Sequence, residues 1–178
     1  MVATAGQEVI DRRLVAVLAV SASTFVGITL SEDYVGTAMI PTKNDRPTVG
    51  FGSTFREDGT PVQMGDKITP PKALARTLAH IQKDEVGIKK CVTSPLSQRE
   101  YDVMVDFAYQ YGVTRLCGSV IVREANKQNY EASCKGYLEY KKSGGFDCSI
   151  PGNRICAGVW ERNKRRYNKC LGIEDGQT

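Results

Sequence analysis

The residues best suited to chemistry lie in the first third of the chain. Glu32 is an acid that follows an uncharged segment, Leu14–Leu30, by two positions. A carboxyl group next to apolar residues is suited to proton transfer, because apolar surroundings favour its neutral form. The Gly-rich stretch Thr48–Thr54 comes next, and glycines in a strand allow a substrate to approach the backbone closely. Glu32 is therefore the candidate catalytic carboxylate.

Six cysteines indicate disulfides rather than a metal site. No two are spaced as C-x2-C, and we expect the single histidine, His80, to be structural, so we expect no metal or other cofactor. An even number of cysteines, all beyond the apolar segment, predicts three disulfides in an oxidising compartment. Cys148 and Cys156 flank a turn-like sequence and are expected to pair. The pairing of the other four stays open: Cys91, Cys117, Cys134 and Cys170.

The totals describe an ordinary globular chain. It has 178 residues, of which 25% are charged and 41% hydrophobic, and it contains no repeat or low-complexity tract. This length suits one domain with a sizeable hydrophobic core. The net charge of +4 suits an anionic partner, such as a cell wall, a membrane surface or a nucleic acid, without selecting among them.

The uncharged segment Leu14–Leu30 has three interpretations. As one helix it would span about 25 Å, short of the ~30 Å hydrocarbon core of a bilayer, and nearly half of it is Ala, Ser, Thr or Gly. The preceding Arg12 and Arg13 and the small residues Ser21–Ser23 fit a cleaved signal peptide. The segment also fits a buried core helix, or a weak anchor that exports the protein and later leaves the bilayer. The last two interpretations do not exclude one another.

The pattern beyond this segment predicts a small β lobe followed by helices. Residues 34–68 contain the Gly-rich stretch and a turn signal at Asp58-Gly59, and we expect a β-hairpin lobe there. A helix is predicted over Pro70–Cys91, with Leu74, Leu78 and Ile81 at helical spacing. The fold class is then α+β, with a cleft between the lobes where a substrate would bind.

Capping signals place the remaining helices. Ser97 and Glu100 form a capping box at the start of a central helix, and Gly112 suits its end. Ser119 and Asn129 are expected to begin two shorter helices. A last helix is predicted over Val159–Leu171, before Gly172.

Several spaced motifs resemble the phage-type lysozymes, glycoside hydrolase family 24. Glu32–Tyr34 is similar to the family's acidic step at a helix end, and Thr48–Thr54 matches its Gly-rich strand. Phe107–Gly112 resembles the central helix, and Gly158–Arg166 resembles the terminal helix. The resemblance covers residues 31–171 in outline. It implies a lysozyme-like fold with a small β-hairpin lobe, a larger helical lobe and an N-terminal apolar helix.

The resemblance also implies the domain organisation. Leu14–Leu30 is similar to the weakly apolar segment of signal-anchor-release endolysins. We therefore expect such a segment over residues 1–30, a catalytic domain over residues 31–172 and a tail over residues 173–178.

In function, the resemblance implies a muramidase. It would hydrolyse the β-1,4 bond between N-acetylmuramic acid and N-acetylglucosamine in peptidoglycan, causing lysis of the host cell. The glycan strand is the expected partner, with a transient inner-membrane association through Leu14–Leu30, no nucleic acid and a monomeric state. The protein would be exported to the bacterial periplasm, tethered to the inner membrane and then released.

Catalytic roles follow from the same resemblance. Glu32 would protonate the leaving oxygen, a carboxylate would activate water on the opposite face, and Thr48 would help to hold that water. The chain departs from the family at the second carboxylate, because Pro41 stands where an Asp is expected nine residues after Glu32. The nearest carboxylate is Asp45, which we expect to supply the base from a rearranged loop.

Alternatives to this assignment stay open. In one alternative Asp45 serves only as a turn cap and the water is positioned by Thr42 and Thr48. In another, Glu32 acts alone as in a lytic transglycosylase. Asp33 offers a rival register for the acid, although Glu32 leaves Tyr34 on the expected aromatic step. Ser53 replaces the family's usual histidine in that strand, so we expect no histidine chemistry.

Two other classes of function compete with hydrolysis. One is a secreted peptidoglycan-binding module that kept the fold without catalysis, and the other is a membrane-disrupting protein. The basic run near the carboxyl end is expected to be a solvated helix face with one arginine paired internally. That run consists of Arg162, Lys164, Arg165, Arg166 and Lys169.

Overall fold

The computed structural model describes residues 10–41 and 45–173. Its strands form two antiparallel pairs, and the helices make up about half of the described chain. The strands are β1 Val35–Met39, β2 Thr48–Gly50, β3 Lys142–Ser143 and β4 Phe146–Asp147. The helices are α1 Ala22–Ser31, α2 Pro70–Cys91, α3 Gln98–Tyr111, α4 Val113–Cys117, α5 Val120–Asn126, α6 Tyr130–Lys135 and α7 Ala157–Leu171, with 3-10 turns at Val15–Val17 and Gly136–Glu139.

The central helix α3 forms the middle of the helical lobe. Its side chains Tyr101, Val105 and Phe107 are completely buried, and it packs against α1, α2, α4 and α7. The predicted capping box is confirmed, since the Ser97 hydroxyl accepts the Glu100 N–H at 3.3 Å and the Glu100 carboxylate accepts the Ser97 N–H at 2.8 Å. Helix α3 therefore begins where local chemistry predicts and supplies the main hydrophobic core.

The predicted β-hairpin lobe is confirmed, and it has a small core of its own. Strand β1 pairs with β2, with Val35 opposite Gly50 and Met39 opposite Thr48. Val49 is buried with apolar residues of the following loop and the first turn of α2. The predicted strand ends at Gly50 rather than continuing to Thr54, because the chain turns back so that Val49 and Ser53 exchange backbone hydrogen bonds of 3.0 Å.

Helix α2 spans the predicted residues but buries a different face. Leu74 and Leu78 are each 38% exposed, whereas Ile81 is fully buried. The buried face includes Thr77 and Glu85, so polar residues replace two of the leucines expected there. The prediction counted apolar residues only, and Glu85 is buried because it accepts hydrogen bonds from other elements.

Three disulfides join the helical lobe. The predicted pair Cys148–Cys156 is confirmed. Cys91–Cys117 ties the end of α2 to α4, and Cys134–Cys170 ties α6 to α7. Two of the three bonds thus connect different helices, a pairing that only tertiary packing determines.

The prediction of a single N-terminal apolar helix is wrong. Residues 14–30 form a 3-10 turn, an extended stretch and the ten-residue helix α1. The helix begins at Ser21, whose hydroxyl accepts the Thr24 N–H at 3.2 Å, so a polar cap interrupts the apolar run. Among residues 10–41 and 45–173, no helix is both long enough and apolar enough to cross a membrane.

Two buried carboxylates hold the N-terminal segment against α2 and α3. Asp102 on α3 accepts the Ser21 N–H at 2.9 Å and the Ser21 hydroxyl at 2.6 Å. Glu85 on α2 accepts the Val20 N–H and the Tyr101 hydroxyl, both at 2.8 Å. Apolar side chains of the segment enter the main core beside these contacts, namely Val15, Leu18 and Ile28. The segment is therefore an integral part of the helical lobe in this structure.

Replacing Asp102 by Ala should destabilise the fold by detaching this segment. Asp102 is 3% exposed, so its loss leaves two Ser21 donors without their acceptor. Buried unsatisfied donors of this kind lower the free energy of unfolding by about 1–3 kcal/mol each. Guanidinium denaturation followed by tryptophan fluorescence or circular dichroism measures the change.

The matched control replaces an exposed acid, Glu131, by Ala. Its carboxylate pairs with Lys135 at 2.7 Å on the surface of α6, and its side chain is 72% exposed. Such surface changes stay within about 0.5 kcal/mol. Equal stability of the two variants would mean that Asp102 does not hold the segment.

Candidate active site

Glu32 lies at the junction between the two lobes. It is the residue that ends α1, and β1 begins three positions later. Its side chain is 26% exposed, and Oε1 accepts a hydrogen bond from Arg162 Nη1 at 2.7 Å. The neighbour of the carboxylate is thus a guanidinium rather than the purely apolar helix residues expected from the sequence.

The second oxygen of Glu32 faces the turn of the β lobe. A Cβ placed on Gly52 would lie 3.5 Å from Glu32 Oε2, and Gly52 has a φ of +78°. This left-handed backbone closes the tight turn between Val49 and Ser53, a conformation that glycine adopts without strain. The Gly-rich stretch therefore brings bare backbone next to the candidate carboxylate, as the sequence indicated.

Arg162 on α7 joins Glu32 to a second carboxylate, Asp106 on α3. Arg162 Nη2 donates to Asp106 Oδ1 at 2.8 Å, while Nη1 serves Glu32. Asp106 Oδ2 accepts from Arg166 Nε, and Arg166 Nη1 donates to Asn163 Oδ1 at 2.6 Å. Carboxylates and guanidinium groups thus alternate along one chain of hydrogen bonds from the lobe junction into the core.

Asp106 is held in its ionised form. Burial acts to raise the pKa of this carboxyl, but the charges of Arg166 and Arg162 and the hydrogen bonds they donate lower it further, so the pKa lies below its ordinary value. The Arg162 pKa is raised in turn, because Asp106 and Glu32 outweigh the effect of burial. Both groups carry a full charge at neutral pH.

Tyr109 fastens the turn of the β lobe to the central helix. Its hydroxyl donates to the Phe51 carbonyl at 2.6 Å. Burial raises the Tyr109 pKa, and the nearby Glu32 charge acts in the same direction. The half-exposed His80 ring lies beside it, with ring centroids 5.2 Å apart, and pairs with Asp84 at 3.4 Å. The expectation that His80 is structural stays a prediction.

The other predicted site residues lie on the β lobe. Asp45 is exposed, and its Oδ1 accepts the Arg46 N–H at 2.8 Å. Thr48 begins β2 and its hydroxyl donates to the Met39 carbonyl at 3.4 Å, across the ladder. Thr48 precedes Gly50 by two residues, or roughly 7 Å of strand. Thr42 lies outside the described residues.

Sequence reasoning missed part of the charge network around Glu32. The basic run was expected to pair one arginine internally, but both Arg162 and Arg166 turn inward. Their spacing of four residues, which places them on one helix face, was the available signal. Asp106 is next to buried apolar residues of α3, and a carboxylate in such surroundings needs a cation or hydrogen-bond donors.

Comparison with known proteins identifies the family of this chain. Residues 32–166 match the family model described as phage lysozyme. The chain is 34% identical to the endolysin of Salmonella phage P22 over 98 residues, which cover 55% of this chain and 67% of that protein. It is 27% identical to the SAR-endolysin of Escherichia phage 933W over 128 residues, 71% of this chain and 72% of that one.

A solved structure supports the fold. A crystal structure of a P22 lysozyme mutant superimposes with a TM-score of 0.71 at 27% identity, covering 86% of this chain and 99% of that one. The predicted lysozyme-like α+β fold is therefore confirmed. The residues that match the family model run from Glu32 to Arg166, which are also the two ends of the ion-pair chain. The chain belongs to the phage lysozyme family.

Proposed function

We propose that this phage lysozyme family member is an endolysin in which Glu32 is the general acid. The bond cleaved is the β-1,4 linkage between N-acetylmuramic acid and N-acetylglucosamine in peptidoglycan. Family membership supports a peptidoglycan hydrolase. The observation that carries the assignment of Glu32 is its placement at the lobe junction, with one oxygen bound by Arg162 and the other next to Gly52.

The two oxygens of Glu32 have different roles in this proposal. Oε1 accepts the Arg162 hydrogen bond, so the proton is carried by Oε2. Gly52 has no side chain to block Oε2, which leaves space for the glycosidic oxygen. Proton transfer to that oxygen as the bond breaks stabilises the oxocarbenium-like transition state of glycoside cleavage.

For the second step we propose that Asp45 activates water and that Thr48 helps to position it. An inverting hydrolase needs its two carboxyl groups roughly 6.5–9.5 Å apart, with the water between them. Asp45 is exposed and lies three residues before β2, the strand that leads to Gly52. This placement supports Asp45 as the water-activating base.

Replacing Glu32 by Gln should abolish cell-wall lysis while the protein stays folded. Glutamine keeps the shape and a hydrogen bond acceptor but cannot protonate a leaving group. Loss of general acid catalysis lowers the rate by at least about 100-fold. Release of soluble muropeptides from purified peptidoglycan measures the rate, and a sedimentation assay with the same material measures binding.

The control is Glu131→Gln, which removes the same charge from an exposed surface pair. Full activity of the Glu32 variant would contradict the assignment. Mass spectrometry of the products separates hydrolysis from transglycosylation, since a 1,6-anhydro end forms only when no water is added. Binding without any catalysis in the parent protein would favour a peptidoglycan-binding module.

Asp45→Asn should lower the rate by about 100-fold if its carboxylate is the base. Thr48→Val should lower it less, because the hydroxyl only positions the water. The matched control is Asp58→Asn, since Asp58 is also an exposed turn aspartate whose carboxylate accepts a backbone N–H. If Asp45→Asn is as active as Asp58→Asn, Asp45 is a turn cap and nothing more.

We further propose that the protein is exported to the periplasm with Leu14–Leu30 as a temporary inner-membrane anchor. SAR-endolysins among the relatives support this, at 27% identity for that of Escherichia phage 933W. Physical reasoning supports it too, because the segment that fills the core with Val15, Leu18 and Ile28 also precedes Glu32 directly. A segment in the bilayer leaves that core incomplete and the acid unassembled.

Strengthening the anchor should therefore delay lysis. Ser23 is exposed and nothing lies within 4 Å of a Cβ at Gly27, so leucines at both positions are compatible with the released fold. We expect Ser23→Leu/Gly27→Leu to stay in the membrane fraction after induction and to lyse cells later than the parent. The purified, detergent-free variant serves as the control and should digest peptidoglycan normally. Release and lysis at the parental rate would contradict the proposal.

A further inference from the structure

We propose that Asp106 is a positioning residue that allows Glu32 to act as an acid. By holding Arg162 in a constant ion pair, Asp106 lets Glu32 take up and release its proton without leaving the guanidinium unpaired. The inference rests on the proposed function, in which Glu32 is the general acid. It concerns a residue that does not touch the substrate and acts only through Arg162.

The geometry divides the Arg162 guanidinium between two acids. Nη1 lies 2.7 Å from Glu32 Oε1, and Nη2 lies 2.8 Å from Asp106 Oδ1. Arg162 therefore donates to the two carboxylates from different nitrogens. Protonation of Glu32 therefore removes one of two counter-charges and leaves the other in place.

Burial makes the second counter-charge necessary. The Arg162 side chain is 12% exposed and that of Arg166 is 2% exposed. A buried cation without a partner is strongly unfavourable, because it has lost its hydration and gained no ion pair. If Glu32 were the only acid near these arginines, they would hold it in its ionised form. An ionised carboxylate cannot protonate a glycosidic oxygen.

A count of charges shows what Asp106 changes. With Glu32 ionised, two arginines and two carboxylates balance, and with Glu32 protonated the cluster carries one positive charge. Without Asp106 the same two states carry one and two positive charges. Protonation of Glu32 is then opposed more strongly, so the acid would lose its proton at a lower pH.

Asp106 itself stays charged across the working range. Burial raises the pKa of Asp106, but Arg166 and Arg162 lower it below its ordinary value. Asp106 therefore stays ionised and does not compete with Glu32 for a proton. Arg166 makes this pairing rigid, because its Nη2 also donates to the Asp106 carbonyl at 3.1 Å.

Other charged groups near this cluster have partners of their own. Asp102 on α3 is engaged by Ser21, and Lys169 on α7 donates to Thr24 at 2.7 Å. Further titratable and charged groups that face the cluster are Asp84 on α2, Tyr109 and Tyr111 on α3, Tyr137 in the 3-10 turn and Arg165 on α7. None of these makes an ion pair with Arg162 within the described part of the chain.

The test is the pH dependence of kcat/KM on a soluble peptidoglycan oligosaccharide, which avoids the charge of whole cells. In Asp106→Asn the alkaline limb should move to lower pH by about one unit, the size expected for removing one close counter-charge. In Arg162→Gln it should move to higher pH, because the cation that favours ionised Glu32 is gone. In the double variant it should stay near the Arg162→Gln position, because Arg166, the cation then left without Asp106, donates to Asn163 and makes no described contact with Glu32.

Controls separate this role from a structural one. Asp106→Glu keeps the charge and should keep the parental limb, and Asp11→Asn, from the exposed pair of Asp11 with Arg13, should leave it unchanged. The proposal is overturned if Asp106→Asn loses activity equally at every pH and its alkaline limb does not move. It is also overturned if Asp106→Asn moves the alkaline limb by as much in the Arg162→Gln background as in the parent. If Asp106→Asn does not fold, an unmoved limb in Arg162→Gln overturns it equally.

The outcome for Glu32 keeps the two proposals distinguishable. An active Glu32→Gln variant contradicts the proposed function, and the role of Asp106 then fails with it. An inactive Glu32→Gln variant together with an unmoved limb in Asp106→Asn contradicts only the role of Asp106.

Discussion

The structure depends on a chain of ion pairs that begins at the lobe junction and ends in the core. Glu32 follows α1, Asp106 belongs to α3, and Arg162 and Arg166 belong to α7, so the chain joins three helices that are far apart in sequence. Each buried charge in the chain is stabilised by an opposite charge next to it. The same contacts that orient the candidate acid therefore also hold the first and last helices against the central one.

The N-terminal segment obeys a related constraint. Its apolar residues enter the protein core, and its backbone donors at Val20 and Ser21 need acceptors when the segment is docked there. Glu85 and Asp102 supply them, and both carboxylates lose these donors if the segment is elsewhere. Docking of the segment thus gives its backbone donors their acceptors and gives the two carboxylates their donors. These hydrogen bonds favour the docked state, in which Glu32 contacts Arg162.

The features that could be predicted from the sequence are those whose contacts join residues close together in the chain. The capping box at Ser97 was predictable because both of its hydrogen bonds form within one turn of helix. Cys148–Cys156 was predictable for a similar reason, as a short turn lies between the two cysteines. The apolar run was misread as one helix, because the acceptors for the Val20 and Ser21 donors come from Glu85 and Asp102. Asp45 and Thr48 stay predictions, since the contacts described for them do not test a catalytic role.

By itself the sequence determined most of the elements and the order of the lobes, with a small β lobe before a helical lobe, and it marked Glu32 as the candidate for chemistry. Those conclusions follow from local spacing and from motifs that resemble a known family. Only the tertiary structure decided which charges meet, because Glu32 and Arg162 are 130 positions apart and Asp106 and Arg166 are 60. Pairing at such distances is set by how helices pack, and no local pattern in the chain records it.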